Sequence, residues 1–233
     1  LNMIAGLQGI AIDRIETARK KQMPTEADLH PNTKFVRNVP LRILANSKNL
    51  QKASEELGVS WVNNQELLRN MFRDLIGDEE YKNYMSSEER GFQHDKESLV
   101  RMFRKNLVNQ EPFQYMLEEE SIFWMDDLDL ASSMVIKTLK SIKEDDDEVE
   151  LLKVWREDDD DKKFLEGLFA KTLAQGNTNE NLIREGAQNW ELERIALTDK
   201  ILMKMALAEA KCFPSIPLKV TLNEYIELSK YYS

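Results

Sequence analysis

The C-terminal stretch Trp190–Ser233 reads WELERIALTDKILMKMALAEAKCFPSIPLKVTLNEYIELSKYYS. Apolar residues recur at three and four from Ile195 through Leu202 and Ala206, which predicts a long amphipathic helix over about 190–212. Pro214 and Pro217 break it, and a second helix follows. Two starts are open for that last helix: Ser215 as cap with Pro217 in the first turn, or Thr221 opening a capping box with Glu224. Leu218, Leu222, Tyr225 and Ser229 continue one face, which favours the earlier start.

Working back from this pair, the same periodicity holds throughout. Eight Gly and six Pro in 233 residues are few for a sheet-rich fold, and 42% hydrophobic residues can fill a core. The fold class expected is all-α. The expected helices lie at 1–22, from an Asn38 cap with Pro40 in the first turn to Leu57, and at 63–76, 79–86, 95–108, 111–120, 126–143, 161–175 and 178–188. Gly58 and Gly176 are read as helix stops. Residues 24–38, with two prolines, are read as an extended loop.

Net charge is −10, unevenly placed. Residues 1–38 carry +2, residues 39–161 carry −13, and residues 162–233 carry +1. This composition shift marks 39–161 as an acidic helical insertion between 1–38 and 162–233. Two acid runs, Glu144–Glu148 and Glu157–Asp161, bound a segment apolar enough to dock, Val149–Trp155. Neither run has the Gly and spaced oxygen ligands of a calcium loop, so both are read as solvated charge. Acids of the second run suit the start of the helix after it.

Catalytic and cofactor chemistry find little support. His30 and His94 lie in separate segments, and Cys212 has no His near it in sequence. No phosphate-cradling Gly loop or C-x-x-C occurs, so no cofactor or metal and no catalytic residue is expected. A single Cys fits a reducing compartment, and no run of eighteen apolar residues exists; a cytoplasmic protein without membrane contact is expected. Trp61, Trp124, Trp155 and Trp190 lie outside basic stretches and are read as packing residues. Lys200, Lys204, Lys211 and Lys219 recur near the last two helices and suit either a phosphate-facing patch or ordinary polar helix faces.

From Phe164 onward the pattern resembles the NusB family of transcription antitermination factors. Phe164, Leu165, Leu168 and Phe169 are similar to one family helix. Arg194, Ile195, Asp199, Ile201, Leu202, Ala206 and Glu209 lead into the IPLKVTLNEYIELSK end. The resemblance implies an all-α NusB-like bundle that binds boxA-type ribosomal RNA together with a NusE-type small-subunit ribosomal protein, and that joins the elongating RNA polymerase. It implies no enzyme activity. Asp199 matches a partner-facing position, and Lys204 and Lys219 fall where the family has basic residues, on the RNA side. The family's Arg-rich first helix and its last helix have no counterpart in 1–233, and the acidic 39–161 segment is similar to the insertion of a longer branch. Asn223 and Glu224 are expected to make hydrogen bonds that fix the last helix. Two alternatives stay open: the NusB-like domain of a ribosomal RNA cytosine methyltransferase, and a helical interaction scaffold that does not use RNA.

Overall fold

The computed structural model describes residues 1–153, 160–187 and 194–232. Trp155, Trp190 and Glu157–Asp159 of the second acid run lie outside the described residues. The described residues contain thirteen α-helices and no strand, so the chain is all-α. They form two compact units, Leu1–Leu152 and Lys153–Ser233.

The first unit holds α1 (Asn2–Arg19), α2 (Glu26–Leu29), α3 (Val39–Asn46), α4 (Lys48–Glu56), α5 (Gln65–Gly77), α6 (Glu79–Ser86), α7 (Phe92–Lys105), α8 (Glu111–Glu120) and α9 (Trp124–Ser141). Met3, Ile4, Leu7, Ile10 and Ala11 form the buried stripe of α1, which packs on α3 and α5. Gly6 permits that approach: a Cβ there would lie 3.1 Å from Leu68 Cδ1. Leu68, Met71, Phe72 and Leu75 of α5, with Leu99, Met102 and Phe103 of α7, complete the core. Residues 1–38 therefore share one core with 39–152, whereas charge divides the chain at 38/39 and 161/162. Burial follows the apolar stripes, to which net charge is indifferent.

Several helix bounds differ from the periodicity reading. A four-residue helix, α2, stands inside the expected 24–38 loop, held by a Thr25–Asp28 capping box. The helix expected from Asn38 to Leu57 is two helices, because Ser47 leaves the helical conformation (φ −66°, ψ 116°) and caps α4. Ser47 Oγ accepts from the Leu50 and Val149 amides and donates to Glu148 Oε2 at 2.9 Å. Glu148 Oε2 also accepts from the Asn49 amide, so one member of the first acid run serves a helix start. These bonds hold the Glu148 carboxyl below its usual range, the Asn49 amide contributing most. Val149 and Leu151 dock on the first core, as the apolar reading of that segment expects. Gly58 does end its helix, with φ +66°. Trp61 is half-buried against Phe113, ring centroids 6.3 Å apart.

A buried polar hub ties α3, α6 and α7. The Asn38 side chain accepts from the Leu41 amide and donates to Tyr84 Oη and to the Asp95 carbonyl. Tyr84 Oη donates to Asp95 Oδ1 at 2.8 Å, and Asp95 Oδ2 accepts from the Val39 amide. Burial, then the Asp95 carboxylate, pushes the Tyr84 hydroxyl well above its usual range, so it remains a donor. Lys34 Nζ lies 4.5 Å from the Tyr84 ring centroid and donates to the Ser87 and Glu89 carbonyls. Burial pulls the Lys34 ammonium down from its usual value. His94 stacks on Tyr84 and contacts Glu89, so its surroundings are those of a packed core histidine.

The second unit holds α10 (Asp160–Ala174), α11 (Gly176–Gly186), α12 (Leu197–Cys212) and α13 (Leu218–Tyr232). Asp160 and Asp161 sit in the first turn of α10, as favourable acids should. Gly176 is the first residue of α11; the break falls at Gln175. The helix expected over 190–212 begins only at Leu197, since Arg194–Ala196 are not α-helical. No helix among the described residues is long and apolar enough to cross a membrane.

Asn38→Ala removes a helix cap and strips Tyr84 and Asp95 of a buried donor. Urea unfolding should show a loss of about 2–3 kcal/mol. Asp28 is held near a pKa of about 2, chiefly by the Thr25 amide and then by Lys21. Its contribution to the capping box is present above the ordinary carboxylate value of 3.8 and disappears as pH falls toward 2. Carboxyl ¹³C titration should find that low midpoint, and Thr25→Ala should raise it.

Candidate nucleic-acid and partner interface

The candidate site lies on the α12–α13 pair and builds upward from a tight corner. Phe213 ends α12, and its ring meets Phe164 of α10 edge-on at 4.9 Å. A Cβ on Gly167 would sit 3.4 Å from the same Phe213 ring, so the small residue lets the corner seat against α10. The Val220 and Thr221 amides bond to the Pro217 carbonyl, and α13 takes the earlier of its two possible starts.

One buried carboxylate joins the two helices. Glu209 of α12 is 7% exposed, and it accepts from Thr221 Oγ1 at 2.8 Å and Tyr225 Oη at 3.1 Å. Thr221 and Tyr225 stand four apart on α13, so both hydroxyls face the same oxygen pair. Burial and the Glu209 charge push the Tyr225 hydroxyl well above its usual range, which keeps it a donor. The expectation placed this fastening on Asn223 and Glu224, yet both are exposed. The sequence offers Thr221 as a cap, whereas its hydroxyl is used on Glu209. The signal available was a hydroxyl pair at i and i+4 on an otherwise apolar face.

A second set of bonds joins α11 to α12. Asn179 is fully buried; its Nδ2 donates to the Lys204 carbonyl and its Oδ1 accepts from Lys211 Nζ at 2.7 Å. Lys204 Nζ donates to Glu180 at 2.6 Å, and this bond holds the Glu180 carboxyl below its usual range. Two of the four lysines considered for a phosphate-facing patch are thus already bonded within the unit. Lys219 is exposed on the first turn of α13, and Lys200 is half-buried. Cys212 is half-buried and accepts from Gln175 Nε2 at 3.1 Å.

Two open grooves flank the pair. One, of ≈ 600 Å³, is lined by Asp199, Arg194, Leu202, Ala206, Leu222 and Ile226. The other, of ≈ 450 Å³, is lined by Leu182, Met203, Ala206, Leu207 and Leu218. Ala206 opens onto both, its methyl leaving room where a longer side chain would fill the space. Asp199 therefore sits at the edge of an apolar trough, which suits a protein surface better than a phosphate. Lys204 and Lys219 do not line the Asp199 groove.

Removing either hydroxyl leaves the Glu209 carboxylate short of a donor. Thr221→Val and Tyr225→Phe should each cost about 2 kcal/mol, and the pair should show coupling because both serve one group. Thermal unfolding of the singles and the double checks this; additive, small losses would reject it.

The NusB family model matches residues 125–233. Among curated proteins, the transcription antitermination protein NusB of Salinibacter ruber is 37% identical over 109 residues, 44% of this chain and 68% of that protein. The NusB protein of Chloroherpeton thalassium is 49% identical over 51 residues, 22% of this chain and 24% of that protein. That of Bacillus thuringiensis is 34% identical over 70 residues, 30% of this chain and 54% of that protein. The chain thus spans from about a quarter to about two thirds of the length of these relatives. No solved structure matches the chain. With more than two thirds of a relative matched at this identity, the chain belongs to the NusB family.

Proposed function

We propose that this protein is an RNA-binding transcription antitermination factor of the cytoplasm. It binds a boxA-type ribosomal RNA leader together with a NusE-type small-subunit ribosomal protein and acts on the elongating RNA polymerase. The observation that carries this reading is the 109-residue match to a transcription antitermination protein, together with the family match over 125–233, which takes in α12 and α13. On this reading the chain makes and breaks no bond, and it needs neither catalytic residue nor cofactor. On this reading residues 1–38 and 162–233 belong to the NusB-like part and the acidic segment 39–161 interrupts it, with the family match already reaching back to residue 125 within that segment.

Asp199 is the candidate on the partner side, because a carboxylate beside an apolar trough suits a basic protein surface. Lys219 is the stronger RNA-side candidate, since its ammonium stands exposed. Lys204 remains a candidate, but it offers phosphate only the charge left after Glu180 has taken its bond.

RNA binding is measured with a boxA-like RNA and a scrambled control, with and without the ribosomal protein, at several salt concentrations. Selective binding that tightens with the partner is expected. Lys219→Gln should reduce the slope of log affinity against log salt by about 0.7, the share of one phosphate contact on a single strand. Asp199→Lys should weaken the ribosomal protein about tenfold and leave RNA binding alone unchanged. Equal binding of both RNAs, or none with the partner present, would overturn the proposal.

A further inference from the structure

The corner between α8 and α9 carries an apolar surface that the core of the first unit leaves exposed. Tyr115 is 63% exposed, Ile122 61%, Met125 48% and Leu130 63%. They stand within sixteen residues, on the outer side of helices whose inner sides bury Phe113, Thr138 and Leu139. Ile122 in the turn before α9 and Met125 in its first turn are three apart, with Asp126 and Asp129 following along α9. Singly exposed apolar residues are ordinary, but a group of four rimmed by charge marks a contact surface.

The charge around this surface says what covers it. Residues 106–136 contain seven carboxylates and neither Lys nor Arg. Glu111, Glu118, Glu119, Glu120, Asp127 and Asp129 are all exposed. Tyr115 Oη donates to Glu119 Oε1 at 2.7 Å, which keeps the ring beside the acids. A field of one sign repels phosphate and raises the local concentration of cations. Four apolar anchors need apolar side chains opposite them, which inorganic cations do not supply. Tyr115, Ile122 and Glu111–Glu120 precede residue 125, where the family match begins, while Met125 and Leu130 lie just inside it; all of them lie in a different compact unit from the α12–α13 pair.

We propose that the α8–α9 corner is a docking surface for a cationic amphipathic segment of another protein, its apolar side chains on Ile122, Met125 and Leu130 and its Lys or Arg on the surrounding carboxylates. The surface is independent of RNA binding and of the Asp199 groove.

The test uses the full chain and a fluorescent peptide with Leu at helical spacing and Lys elsewhere. A second peptide has every Leu replaced by Ser, and an RNA oligomer serves as competitor. The Leu–Lys peptide should bind at least about tenfold more tightly than the Ser–Lys peptide, since the anchors carry the difference. Ile122→Ser with Leu130→Ser should weaken it about tenfold, as should Glu118→Gln with Glu119→Gln and Asp127→Asn. Neutralising Glu144, Asp145 and Asp147, an acid run elsewhere, should change it less than about twofold. Circular dichroism melting confirms that each variant folds, and the carboxamide set tests the surface even where the serine pair does not fold. Equal binding of both peptides, equal loss from the distant acids, displacement by RNA, or no binding would each overturn the assignment.

Discussion

A helix leaves amides unpaired at its start and carbonyls unpaired at its end, and thirteen mostly short helices among the described residues multiply that debt. This constraint organises the first unit, and buried polar ties of the same kind cross-link the helices of the second. Asn38, Ser47, Asn179 and Thr221 are at most 1% exposed, and each spends its side chain on a bond to another part of its unit. Asn38 caps α3 while holding Tyr84 and Asp95; Ser47 caps α4 while holding the Val149 amide. The caps are therefore also the cross-ties. A buried donor left unpaired costs more than a made bond gains, so these ties select one packing of the helices over its neighbours.

The fold class and most helices were legible because burial writes a three- and four-residue rhythm into the chain. The bounds of α6 and α8, 79–86 and 111–120, emerge as the periodicity expects them. The errors share a cause. A single helix was expected over 38–57 because the apolar rhythm runs through Asn46–Ser47, and nothing local shows that Ser47 will bond to Glu148 and Val149 about a hundred residues on. Gly176 was expected to stop a helix, yet glycine is equally at home in a first turn, and here it begins α11. The four-residue α2 is too short to show any rhythm; only its Thr-x-x-Asp spacing announced it.

The candidate interface was legible as a stretch of sequence, but its internal bonds were not. The string from Arg194 to Lys230 was recognisable as a unit, and the grooves do lie along it. Which residues fasten the unit and which remain for a partner is decided by three-dimensional neighbours. Lys204 and Lys219 look alike in sequence; Glu180, twenty-four residues before Lys204, separates them. In the same way Asn223 and Glu224 yield to Thr221 and Tyr225, because Glu209 lies under the second pair.

Charge placement adds a last step. Among the described residues, the buried Glu209 is tied to α13 by two hydroxyls, Thr221 and Tyr225. Its unit carries nearly balanced charge over 162–233, so any phosphate must be met by individual exposed cations rather than by a broad positive field. On the proposed reading, this charge balance leaves selectivity at the α12–α13 surface to shape and a few contacts. It also makes a second protein a natural source of the missing positive charge. A partner that brings its own Lys and Arg suits a chain with a net charge of −10 better than RNA does by itself.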